Sequence, residues 1–203
     1  MAAKIVLAAL KHILATLEAT HCSHALIGGL SLSFWKHVRT TQDVDLLIDP
    51  GDAGVEALLK VLQKTGIRTK HQPPIVDLKS FRLVQLLYEP KDAFMEIQID
   101  LLLAESEFHR VALARKVPAL ISEINLEFFT LTCEDLIIMK MNAGRIIDRA
   151  DAAALLRLNR QGLNMLYILA WVKKLNLPSE WLEIWNESFP NEPPAPSSPP
   201  QIL

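Results

Sequence analysis

Apolar residues recur at Val6, Leu10, Ile13, Leu14 and Leu17, a three-and-four spacing that predicts an amphipathic helix packed on a core. The run Ala25-Leu-Ile27 then stops at Gly28-Gly29, as a buried strand does when it turns at glycines. Ser31–Val38 reads as a short helix. Asp43–Asp49 alternates, with Val44, Leu46 and Ile48 on one face and Asp43, Asp45 and Leu47 on the other, which predicts a strand. Pro50-Gly51-Asp52 makes a turn, and Val55, Leu58, Leu59 and Leu62 give the next helix an apolar stripe that Gly66 ends. Phe81–Tyr88 and Phe94–Leu103 read as strands joined through Glu89-Pro90-Lys91-Asp92, a hairpin.

From Thr132 the pattern is helical. Thr132-Cys-Glu-Asp135 has the form of a capping box, Gly144 ends or bends that helix, and Asp148-Arg-Ala-Asp151 caps the next. Helices near Leu163–Leu175 and Ser179–Ser188 hold three of the four tryptophans, read as packing residues. The expected fold class is α+β: a small mixed β-sheet core over residues 1–130, flanked by helices. A C-terminal helical region, 131–189, would pack on that core. Six of the twelve prolines fall in the last fourteen residues, so 190–203 is expected to be a disordered proline-rich tail.

Composition narrows the functional classes. With 203 residues, 50% of them hydrophobic, the chain can build a core without disulfides or a structural metal. Lys+Arg total 21 against 23 Asp+Glu, a net charge of -2, which excludes a strongly basic nucleic-acid binder though not a local basic groove. Mean hydropathy is +0.21, yet no apolar run is long enough to span a bilayer, so no membrane role is expected. The opening residues lack the pattern of a signal peptide, and two cysteines form no framework, which fits a cytoplasmic protein. His21-Cys22-Ser-His24 has no second cluster to complete a tetrahedral metal site.

The candidate chemistry lies in Leu26-Ile-Gly-Gly-Leu-Ser31 and Arg39-Thr-Thr-Gln-Asp43-Val-Asp45. Two glycines at a strand end let the backbone approach a ligand closely, and a helix opening at Ser31 adds free N–H groups suited to phosphate. Asp43 and Asp45, two apart on a strand, project from one face and offer hard oxygen donors to Mg²⁺. Asp100, on a later strand and in phase with Glu96 and Gln98, is a suitable third carboxylate for two-metal phosphoryl chemistry, provided its strand lies beside Asp43–Asp49.

Gly-Gly, a short helix, Asp-hydrophobic-Asp and a later strand aspartate together resemble the nucleotidyltransferase superfamily of the DNA polymerase β type. The longer pattern adds Arg39, Thr41 and Glu134-Asp-Leu136...Lys140...Arg145...Asp148...Asp151. It resembles the abortive-infection nucleotidyltransferases, including toxins of the AbiEii type, over roughly residues 20–158. The resemblance implies Mg²⁺-dependent transfer, with Mn²⁺ as a substitute, of a nucleoside monophosphate from an NTP such as ATP to a hydroxyl acceptor. Acceptors in the superfamily include tRNA ends, protein hydroxyls and small molecules such as aminoglycosides. RNA or protein is expected here, with a cognate antitoxin as partner if the chain is a toxin of a toxin–antitoxin system.

Carried over by position, Gly28, Gly29 and Ser31 would hold the β- and γ-phosphates, with Arg39 and Thr41 beside the nucleotide. Asp43, Asp45 and Asp100 would bind metal, and Asp100 would be the candidate base. Lys140 would meet the triphosphate, and Asp148 would orient it or contact the acceptor. Trp35-Lys36-His37 stands where members often carry a glycine before the motif arginine. Any RNA-binding surface must come from clustering, for instance of Arg110, Arg115, Lys116, Lys140, Arg145, Arg149 and Arg157. The alternative is a non-catalytic module of the same fold that binds nucleotide or protein. A metal-dependent nuclease is disfavoured, since Glu96-Ile-Gln98 lacks the acid-x-Lys pairing.

Overall fold

A computed structural model describes residues 2–78, 81–91 and 93–193 of the chain. They fall into two compact units. One holds the residues up to Ser31 together with Arg39–Leu131; the other holds Leu32–Val38 together with Thr132 onward. The helical unit thus borrows a segment from early in the chain, rather than starting cleanly near residue 131.

The first unit is built on a mixed sheet of eight strands. In chain order these are β1 (Ser23–Ile27), β2 (Asp43–Asp49), β3 (Arg68–Thr69), β4 (Ile75–Leu78), β5 (Phe81–Tyr88), β6 (Ile97–Leu103), β7 (Val117–Ile121) and β8 (Leu126–Thr130). The spatial order is β3-β5-β6-β2-β1-β8-β7, with β4 also on β5. β2 runs parallel to β6 and antiparallel to β1, and the β5–β6 hairpin is antiparallel. The register places Asp45 opposite Asp100, and Asp43 opposite Gln98. β6 starts at Ile97 instead of Phe94, because Phe94 takes a left-handed φ of 51° that an extended strand does not accept.

α1 (Ala2–Ala19) and α3 (Gly54–Lys64) supply the core on one face of this sheet. Val6, Leu10, Ile13, Leu14 and Leu17 interlock there with Leu58 and Leu62 and with Val44, Leu46, Ile48, Ile97, Ile99 and Leu101. Burying one such aliphatic side chain is worth about 1.5–3 kcal/mol, so this face anchors the unit. On the opposite face α4 (Glu107–Ala114) packs against β1 and β2, at the end where Ala25, Leu47 and Leu102 are buried. The other end of that face carries Asp43, Asp45, Gln98 and Asp100.

α2 (Gly28–Phe34) opens on the glycines themselves, three residues before Ser31. Its first turn belongs to the sheet unit and its last residues to the helical unit.

The helical unit contains α5 (Cys133–Ala143), α6 (Ile146–Asn159), α7 (Met165–Lys174) and α8 (Pro178–Ser188). Thr132 caps α5, its Oγ1 accepting from the Asp135 N–H at 3.3 Å and donating to Oδ2 of Asp135 at 2.6 Å. Gly144 ends α5 at φ 71°. Trp171, Trp181 and Trp185 are buried here, as packing residues should be. The chain beyond α8 is held through Pro193: Arg160 chelates Glu192, and the Trp185 indole N–H donates to the Pro193 carbonyl at 3.0 Å. The remainder of the expected tail, 194–203, lies outside the described residues. Among the described residues, no helix is long and apolar enough to cross a membrane.

Candidate active site

Parallel pairing of β2 with β6 makes Asp45 and Asp100 neighbours across adjacent strands. Such strands lie about 4.8 Å apart, and side chains at matched positions emerge from the same face. Asp43 shares that face but lies two residues along, about 6.6 Å at the rise of a parallel strand. Among the described residues, no three Asp, Glu, His or Cys side chains are grouped to hold one ion. The sheet brings the three carboxylates to one patch without closing them into a ligand set.

Asp100 is half-buried and held by two amides. Gln98 Nε2 donates to its Oδ1 and Oδ2 at 3.0 and 3.2 Å, and Gln85 Nε2 does so at 3.2 and 3.3 Å. Burial pushes its carboxyl above the ordinary value and the Asp43 charge adds to the rise, while the two amides and Lys70 oppose it. A hard-oxygen set under this strain suits a small divalent cation, which would relieve the repulsion on binding.

The glycine turn closes over the same row. Ile27 is opposite Asp45, so Gly28 begins where that carboxylate stands. Gly28 has φ 64°, and a Cβ there would fall 1.8 Å from Oδ2 of Asp45. Only glycine permits both the backbone angle and the approach. A Cβ on Gly29 would meet Thr41 Cβ at 2.7 Å. Thr41 in turn donates its hydroxyl to Oδ1 of Asp43. Ser31 is fully buried, and its hydroxyl donates to the Gly28 carbonyl at 3.0 Å. Its side chain therefore pins the turn instead of facing a ligand. Arg39 Nη1 lies 3.4 Å from the Thr40 carbonyl.

The two remaining candidates, Lys140 and Asp148, belong to the helical unit, in a buried ionic cluster. Lys140 Nζ donates to Oδ1 of Asp148 at 2.8 Å and sits 3.0 Å from Oδ2 of Asp151. Arg145 Nε reaches Oδ2 of Asp148 at 2.5 Å, and His37 Nε2 lies 3.0 Å from Oδ1 of Asp151. Burial alone would raise the Asp148 carboxyl, but the Arg145 and Lys140 contacts outweigh it and hold it below the ordinary value. Asp148 is not a helix cap, since α6 starts at Ile146 after an Arg145 N-cap.

The basic residues expected to cluster divide between the two units. Arg110, Arg115 and Lys116 lie in the sheet unit, the other four in the helical one. Arg110 donates to the Glu105 carbonyl, Lys116 to the His24 carbonyl at 3.1 Å, and Arg149 to Glu183 at 2.8 Å. Both thiols are inert by position, with burial pushing Cys22 up to about 11 and Cys133 up to about 12. Gln85 and Lys70 carry no motif, whereas Asp151 closes the longer pattern without an assigned role and His37 enters only as a departure from it. Gln98 is signalled only by being in phase with Asp100.

A family model described as "Nucleotidyltransferase of unknown function (DUF6036)" matches residues 5–181. The chain belongs to this nucleotidyltransferase family. No curated protein matches it. Among solved structures, the antibiotic-resistance factor ANT(2'')-Ia superposes with a TM-score of 0.55 at 15% identity, over 87% of this chain and 93% of that one. This likeness shows a nucleotidyltransferase-like fold. An antigenic nucleotidyltransferase-like protein from Paracoccidioides brasiliensis gives 0.49 at 18% identity, over 86% and 91% of the two chains. JHP933 from Helicobacter pylori gives 0.47 at 18% identity, over 87% and 77%.

Proposed function

We propose that this protein is a Mg²⁺-dependent nucleotidyltransferase that moves a nucleoside monophosphate from an NTP to a hydroxyl acceptor, breaking the α–β phosphoanhydride bond and releasing pyrophosphate. The observation that carries the reading is the register of Asp45 against Asp100, with Asp43 on the same face and Gly28 fitted against Asp45. Asp43, Asp45 and Asp100, gathered on one patch but not closed into a ligand set, would close on the ion when it binds, Mn²⁺ serving in its place. When bound, it would neutralise phosphate charge and favour attack at the α-phosphorus.

The chain's own residues supply the remainder. Gly28 and Gly29 give the nucleotide's phosphates a backbone free of side chains, and Thr41 fixes the orientation of Asp43. Asp100, held by the Gln85 and Gln98 amides, is the base assigned to the proton of the attacking hydroxyl. Within the helical unit, Lys140 is oriented by Asp148 and Asp151 and is the motif lysine that the resemblance assigns to the triphosphate. By their resemblance to AbiEii-type toxins, these motifs favour RNA or protein as acceptor and an antitoxin protein as partner.

The test is label transfer from each of the four α-labelled NTPs with Mg²⁺. Bulk tRNA and the protein itself are offered as acceptors, beside an Asp43→Ala/Asp45→Ala control. Label on RNA or protein that vanishes in the control is the expected result. Label that persists in the control would overturn the assignment of the acids. Binding of Mg·NTP without transfer would point to a small-molecule acceptor or an absent partner. Neither binding nor transfer would favour the non-catalytic module.

A further inference from the structure

The sheet face that bears the acids also bears a row of polar side chains leading away from them to the edge. Lys70 directly follows β3, and its backbone N–H donates to the Gln85 carbonyl at 2.8 Å. Gln85 lies opposite Asp100. The strand pairing thus sets Lys70, Gln85, Asp100 and Asp45 in one line across β3, β5, β6 and β2.

The side chains are linked along that line. Lys70 Nζ donates to Oε1 of Gln98 at 2.6 Å. An ammonium only donates, so it requires the amide oxygen of Gln98 and turns the amide NH₂ toward Asp100. Nε2 of Gln98 then reaches both carboxylate oxygens. A second arm repeats the pattern: Nε2 of His71 lies 2.8 Å from Oε1 of Gln85, whose Nε2 reaches both oxygens of Asp100. Each glutamine therefore passes a donor from an outer nitrogen to the same carboxylate.

We propose that Lys70 is a positioning residue for Asp100, acting through the fixed orientation of the Gln98 amide, with His71 and Gln85 as a parallel arm. The proposal rests on the reading of Asp100 as a working carboxylate of the site. Without the ammonium, the Asp100 carboxylate alone selects between the two orientations of the Gln98 amide, and the outer lock is lost. In the flipped one an amide oxygen faces Asp100 and repels it. Outer partners of this kind hold metal-binding carboxylates in place, and their loss typically costs about tenfold or more in metal affinity. Lys70 is exposed, so replacing it leaves the core intact.

The experiment combines side-chain amide NMR of ¹⁵N-glutamine-labelled protein with Mn²⁺ titration and steady-state kinetics. Wild type, Lys70→Met, Lys70→Arg, Gln98→Leu and the Lys70→Met/Gln98→Leu double variant are compared. In Lys70→Met the Gln98 amide resonances should move, Mn²⁺ affinity should fall about tenfold, and kcat should drop with the KM for NTP unchanged. Lys70→Arg should restore most of this, and the double variant should be no worse than Gln98→Leu alone. Gln98 resonances that stay in place in Lys70→Met would overturn the proposal whether or not metal binds. So would a raised KM for NTP or acceptor at unchanged Mn²⁺ affinity, which would assign Lys70 to substrate phosphates. If the resonances move but wild-type protein takes up no Mn²⁺, the relay stands and the functional reading fails.

Discussion

Two groups of aspartates in this protein meet opposite electrostatic fates. In the sheet unit Asp43, Asp45 and Asp100 share one patch, where a Thr41 hydroxyl and two glutamine amides reach Asp43 and Asp100. In the helical unit Asp148 and Asp151 share Lys140, and Arg145 and His37 bracket them. The proton affinities separate accordingly. Asp100 is raised by burial and by Asp43; Asp148 is lowered because its cations outweigh its burial. The first group stores repulsion that a bound cation would relieve, whereas the second is already balanced and orders its lysine. Similar residues at similar density therefore do different work, decided by which donors the fold sets around them.

The sharpest way to break this contrast is to neutralise one acid of the sheet row and, separately, the lysine of the helical cluster. Asp45→Asn should lower transfer by about a thousandfold, the scale of losing one charge-stabilising group at a transition state, without lowering thermal stability. Assaying label transfer and Tm together checks both halves. Lys140→Met should do the reverse in stability, costing about 3–5 kcal/mol in urea unfolding because two buried carboxylates lose their partner. If Lys140→Met is as stable as wild type, Lys140 does not balance the charges of Asp148 and Asp151.

A smaller effect is expected at Gly28. Its alanine variant must meet the Asp45 carboxylate and hold a left-handed φ, a strain of about 1–3 kcal/mol. Turnover should fall with Asp45 displaced, while Gly54→Ala, with open space around its Cβ and φ 73°, should affect stability alone.

The pH dependences should also have opposite signs. A raised carboxyl in the fold means that ionised Asp100 opposes folding, so its drag on stability appears as pH rises through its folded value. Asp100→Asn should remove that slope and add about 0.5 kcal/mol near neutrality, the size of relieving one like-charge contact. A lowered carboxyl means that Asp148 stabilises above the ordinary carboxylate value and loses that contribution as pH falls through its folded value. Asp148→Asn should therefore be destabilised at neutral pH and should flatten the acid limb of the stability curve.

Much of this arrangement could be read from the chain. Alternation across Asp43–Asp49 marked β2 to the residue, and the spacing of Val6 through Leu17 marked α1, because one face of each meets the core. Asp100 could be put on a strand, in phase with Gln98, but its place opposite Asp45 depends on which strands pair, a long-range fact. The β7–β8 hairpin was not legible: Pro118 interrupts the first strand, and Leu126-Glu-Phe-Phe-Thr130 does not alternate cleanly. α2 opens three residues before the Ser31 start that the sequence suggests, since paired glycines read as a turn while a buried Ser31 hydroxyl lets the helix start on them. Lys70 and His71 gave no signal at all. Their role comes from a two-residue edge strand and two glutamines that only the folded sheet aligns.

The most direct test of the unbalanced acid row is calorimetric titration of the protein with a non-hydrolysable NTP analogue, with and without Mg²⁺, in wild type and Asp45→Asn. Saturable binding that requires Mg²⁺ and is lost in Asp45→Asn is the predicted result. Equal binding by both proteins, or binding indifferent to Mg²⁺, would contradict it.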